Sequence, residues 1–184
     1  MNGASANSRL SLFLMELIIA LLFFALSAAI CVRLFVAAHV MAEDTGNLSN
    51  AIMWSENLTE VFVNEKGDLK EIATLYPDAY VTYPAEDDDS QKGTLIIFFD
   101  DDWNVTEGDL TSASFEAIME TGIDDAANVY ADVTDYGTTY KGKAAVGEVA
   151  IIDIKGSENA VSEIPFEKDD VIFGNNVDVY LGER

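Results

Sequence analysis

The chain is short of cysteine, histidine, proline and positive charge. Among 184 residues there is one Cys, one His, three Pro and 10 Lys or Arg against 33 Asp or Glu, a formal charge of −23. The single Cys31 excludes a disulfide framework and a thiolate zinc site, and His39 alone leaves no His-based metal or catalytic constellation. The charge balance excludes nucleic acid as a partner, because phosphate binding needs clustered Lys and Arg. No GxSxG, P-loop or HExxH motif occurs. Paired carboxylates are abundant, but at this acidity their spacing carries no information. The sequence therefore reads as non-enzymatic, with no cofactor or metal ion expected.

The charges that are present are unevenly placed. Residues 1–42 hold only Arg9, Glu16 and Arg33, a sum of +1, which leaves 8 basic and 32 acidic residues in 43–184, a sum of −24. Residues 10–32 read LSLFLMELIIALLFFALSAAICV, with Glu16 as the only charge. A helix of this length spans roughly 35 Å, enough for a bilayer core of roughly 30 Å. The run is longer than the apolar core of a secretory signal, about 7–15 residues, and is apolar on every face, unlike a core helix of a soluble protein. A single-pass span in contact with lipid through residues 10–32 is the expectation. Cleavage near Glu43, after the small Ala42, is the secretory alternative. Arg9 and the amino terminus precede the span, which favours a cytoplasmic amino terminus and an acidic body on the far side.

No proline precedes Pro77, and Gly46 is the only glycine between Gly3 and Gly67, so the helix can run on to about Val63. Beyond Arg33 it turns amphipathic, with Met41, Leu48, Ile52, Ser55, Leu58 and Phe62 forming a face for packing. Gly46 marks a place for a bend or a melted turn. A second short helix is expected over 68–76, stopped by Pro77. The period then becomes two. Strands are expected at Leu95 to Phe99, Phe115 to Met119 with Glu116 facing the other way, Val129 to Val133, Val149 to Ile154 and Val177 to Leu181, separated by Gly, Asn and Asp turn signals. The domains read as a polar leader (1–11), a transmembrane helix (12–33), an amphipathic stalk helix (34–66) and an acidic β-rich domain (67–184). The fold class is α+β: a long N-terminal helix, one face of whose amphipathic half covers an antiparallel sheet.

The stretch Ser11, Leu12, Phe13, Leu14, Met15, Glu16, followed by Leu17, Ile18, Ile19, Ala20, Leu21 and Leu22, resembles the prepilin motif of type IV pilins and type II secretion pseudopilins. In that family a short polar leader is cut at a small residue, and the fifth residue of the mature chain is Glu. The resemblance implies a leader-peptidase junction between Ser11 and Leu12, with Glu16 as the fifth mature residue. Most members have Gly before the junction, where this chain has Ser11. The resemblance further implies a subunit held in the bacterial cytoplasmic membrane, assembling with other pilin-like subunits through a membrane platform. Glu16 would pair with the free amine of a neighbour's first residue and set the register. A carboxylate in an apolar span costs about 2–3 kcal/mol at the membrane centre and is usually functional.

Remaining features are weaker. Asp87, Asp88, Asp89 and Asp100, Asp101, Asp102 invite a calcium reading, and Asp100, Asp102, Asn104 and Thr106 match the alternating opening of a calcium loop. Val105 where Gly is needed and Thr111 where Glu is needed break the match, so a solvated strand end is the expectation. Cys31 reads as a small packing residue. Asn47, Asn57 and Asn104 open N-x-Ser/Thr triplets that are chance matches in a bacterial setting. The rival to a filament subunit is a membrane-tethered extracytoplasmic binding domain that does not polymerise.

Overall fold

The computed structural model describes residues 3–86, 88, 90–106, 112–133, 140–155, 163–164 and 171–183, with side chains from residue 10 onward. Asp87, Asp89, Thr111, the turn at 156–159, much of the turns at 104–109 and 137–142, and the first two residues of the expected leader lie outside them. The elements in chain order are α1 (Gly3–Asn64), α2 (Leu69–Leu75), β1 (Tyr80–Thr82), β2 (Gly93–Phe99), β3 (Phe115–Asp125), α3 (Ala126–Val129), a 3-10 turn (Ala131–Val133), β4 (Lys143–Asp153) and β5 (Val171–Gly182). Contacts divide the chain into two units, Met1–Gly46 and Asn47–Arg184.

The first unit consists of the N-terminal part of α1, and its described side chains are exposed. The helix continues through Gly46 with no melted turn: one glycine costs about 1 kcal/mol against Ala, too little to open a helix that is otherwise uninterrupted.

In the second unit a five-stranded sheet runs in the order β1-β2-β3-β4-β5, every neighbouring pair antiparallel. Ala51, Ser55, Leu58 and Phe62 of α1, spaced by four, three and four residues, are fully buried. They pack with Leu69 and Ile72 of α2 against Leu95, Ile97 and Phe99 of β2, Ala117 and Met119 of β3, and Val149 and Ile151 of β4. The helical period of 3.6 meets the strand period of two, so each element contributes one face. This is an α+β fold with a long N-terminal helix packed on an antiparallel sheet, a pilin-like architecture. The packed face is shorter than the sequence pattern implies. Met41 is 68% and Leu48 41% exposed, so close packing begins at Ala51.

The helix stops where Lys66 and Gly67 take positive φ and the Gly67 N–H reaches back to the Phe62 carbonyl at 2.9 Å, closing the end with a left-handed turn. Asp68 then caps α2 by accepting from the Lys70 N–H at 3.0 Å.

Residues 129–133 are not the strand their alternation implies: they finish α3 and form the 3-10 turn. The Asp124 carboxylate accepts from the Asp125 N–H and the Asn128 side chain, and such local side-chain bonds compete with a three-residue apolar alternation. On the opposite face of the sheet β2 is buried as its unbroken apolar run implies, whereas the burial of Glu116 is not what its alternation implies. That face carries its own small cluster, Phe98, Ile118, Ala150, Ile152 and Ile154, and Glu116 on it is fully buried.

Candidate functional site

Among the described residues one helix, α1, is long and apolar enough to cross a membrane; its best window has a mean hydropathy of 2.6 and none of it is buried. Leu12, Phe13, Met15, Ile18 and Phe24 are each more than 60% exposed. Large apolar side chains left uncovered over this length call for a solvent other than water or for neighbouring helices. Ser11, Leu12 and Glu16 all lie exposed on this segment, and Leu12 and Glu16, four residues apart, share one helix face. Cys31 is exposed rather than packed.

The loop at 100–104 shows what the acidic triplet does. Asp100 Oδ1 accepts from the backbone N–H groups of Asp102 and Asn104, each at 2.9 Å, and the Asn104 side chain bonds the same carboxylate. Those bonds, the Asn104 backbone N–H foremost, hold the Asp100 carboxyl below its ordinary value. The carboxylate is thus turned into its own loop. Asp101 pairs with Lys155 at 2.9 Å, and Lys155 Nζ lies 4.6 Å from the centre of the Phe115 ring. The turn leads into Trp103, at φ 62°, whose ring stacks on Phe115 at 4.3 Å and whose Nε1 donates to Asn47 on α1. Asp88 makes a similar loop, held below its ordinary value chiefly by the Ser90 hydroxyl. Among the described residues no group of three or more His, Cys, Asp or Glu is arranged to hold a metal ion. The amides of Asn47 and Asn57 accept from Trp103 and Tyr76, so with Asn104 all three of the N-x-Ser/Thr asparagines serve the fold.

The sheet face away from α1 carries a cleft of about 730 Å³. A transverse row forms its floor: Thr94 lies opposite Glu120, Glu120 opposite Glu148, and Glu148 opposite Asn176. Two carboxylates thus face each other across neighbouring strands, an arrangement that is unfavourable unless something relieves it. The Ile164 N–H donates to Glu120 at 2.9 Å. Tyr130, Tyr140 and Tyr180 form a ring cluster with centroids 5.0–6.2 Å apart. Burial, with a hydrogen bond to Asp178 adding to it, pushes the Tyr130 phenol up to about 12. Neither cleft nor cluster is visible in the sequence. β3 offers Glu116 and Glu120 and β4 offers Glu148, and only the register sets Glu120 beside Glu148.

The chain matches no protein-family model, and no curated protein or solved structure matches it. Its function is therefore read from its own residues.

Proposed function

We propose that this chain is a membrane-anchored, pilin-like structural subunit, a pseudopilin or minor pilin, of a type IV pilus or type II secretion-like filament. One observation carries the reading: a single 62-residue helix, α1, is exposed and apolar over residues 10–32 and buries one face against an antiparallel sheet through its last four turns. A tether needs only the first property and a soluble domain only the second. A filament subunit needs both, because its helix serves lipid before assembly and other helices after it.

In this reading residues 1–11 are the leader, cut between Ser11 and Leu12; residues 12–33 cross the cytoplasmic membrane; 34–66 form the stalk; and 67–184 stand outside the membrane. Glu16, the only carboxylate among residues 10–42, pairs with the amine of a neighbour's Leu12 and neutralises two charges inside an apolar bundle. The cleft on the outer face favours a second reading, a tethered binding domain that does not polymerise.

Intact-mass spectrometry of the chain from its native membrane tests the proposal. A mature chain starting at Leu12 is the result expected of a filament subunit. A start at Met1 favours the tether, and a start near Glu43 favours secretion. The Glu16→Ala variant separates the readings again: a filament subunit stays in the membrane but fails to assemble, while a tether is indifferent to the change.

A further inference from the structure

The two edges of the sheet are unlike. β1 is three residues long, and Pro84 follows two positions after it, both features that discourage pairing with another chain. β5 is twelve residues long and among the described residues pairs only with β4. Its register runs without irregularity from Ala144↔Tyr180 to Ile151↔Phe173. It contains no Pro, Lys or Arg, and Asp178 is its only charge. Register irregularities lie at either end of the strand, and between them the edge offers a row of backbone donors and acceptors without Pro or Lys to protect it.

The side chains tell the same story. On the α1 side of β4, Ala145, Val149 and Ile151 are at most 1% exposed, whereas Val177, Val179 and Leu181, on the same side of β5, are only partly buried. The apolar layer is closed over β4 and left open along β5. On the other side the edge is acidic, with Asp178 on β5 and, on β4, Glu148 opposite Asn176. A chain of −23 charge repels a second copy of itself at this edge and attracts a cation.

We propose that the free edge of β5 takes up an extended basic segment of a partner protein as a sixth strand. Backbone hydrogen bonds supply the pairing. Alternate apolar side chains of the segment cover Val177, Val179 and Leu181, and the intervening Lys or Arg residues lie beside Asn176 and Asp178, within reach of Glu148. The inference holds for a filament subunit and for a tethered domain alike.

The test uses the full chain in nonionic detergent and a fluorescein-labelled decapeptide of alternating Lys and Val, read by fluorescence anisotropy. The peptide is expected to bind and to protect β5 amides from hydrogen exchange. A version methylated at every backbone nitrogen keeps the charge but loses the donors, and is expected to bind at least about tenfold more weakly. Glu148→Lys, an exposed substitution, is expected to weaken binding of the unmethylated peptide by about tenfold. Equal binding of the methylated peptide, or no binding at about 1 mM, the weak end of specific recognition, overturns the proposal. So does self-pairing, seen as a disulfide between two copies carrying Cys31→Ala and Asn176→Cys.

Discussion

Phe62 occupies a slot that two glycines keep open. A Cβ on Gly147 would come within 2.8 Å of the Phe62 ring and 2.9 Å of Val177 Cγ1, and one on Gly67 within 2.7 Å of the Ala145 Cβ. Gly147→Ala therefore forces a packed ring and a strand side chain apart, at a cost of about 1–3 kcal/mol, read as a fall in the urea midpoint of the full chain in detergent. Ser55 presents the opposite case. Its Oγ is buried at the contact between α1 and the sheet with no hydrogen-bond partner. Removing an unsatisfied hydroxyl relieves its desolvation, so Ser55→Ala is expected to raise stability by about 1 kcal/mol in the same titration. The small side chain is kept, so the close approach of helix and sheet survives. A loss of stability in Ser55→Ala would show that the hydroxyl is satisfied after all.

At the scale of elements, loop 100–104 behaves as a hydrogen-bonded clasp that delivers Trp103 to the core. Asp100 is a half-buried residue whose carboxyl is lowered by bonds from the Asn104 backbone and side chain and, less, from the Asp102 backbone. A group lowered in the folded state contributes stability above its ordinary 3.8 and loses that contribution as pH falls through the lower folded value. Acidification below about pH 4 is therefore expected to release Trp103 and shift its fluorescence to the red, and Asp100→Ala is expected to produce the same shift at neutral pH. If the variant's spectrum is unchanged, the stack on Phe115 alone holds the ring. The same loop shows why the acidic triplet reads as a solvated strand end in the sequence. Carboxylate spacing is visible there, but which donors the carboxylates meet depends on the turn.

For the whole molecule, residues 43–184 carry 8 basic and 32 acidic residues, and the described ion pairs are few and exposed, Asp125 with Lys143 and Asp101 with Lys155. Self-repulsion therefore opposes compaction, and salt should relieve it, since the screening length falls to about 10 Å at 0.1 M. Thermal unfolding of the full chain is expected to move up by a few degrees between about 0.01 M and 0.5 M sodium chloride. A downward shift would mean that the ion pairs outweigh the repulsion.

What the sequence determined by itself are the features that rest on neighbours along the chain. The apolar run at 10–32, a helix reaching to about Val63, the stop at Pro77 and the alternation in β2, β4 and β5 all follow from local composition and period, whereas the helix's passage through Gly46 does not. The Ser11, Leu12 and Glu16 proposal also lives entirely on that level. Tertiary structure decided the rest. Residues 129–133 finish α3 and form a 3-10 turn instead of a strand, with the Asp124 carboxylate just upstream bonded to the Asp125 N–H and the Asn128 side chain. β1 has no pattern of its own and exists because β2 pairs with it. Glu116 is buried because the second face of the sheet acquired its own cluster. Glu120 and Glu148 meet because the register of β3 on β4 sets them opposite, and the free edge of β5 exists because the strand order ends there. Pairing register and strand order depend on residues far apart in the chain, which a local period of two or 3.6 cannot encode.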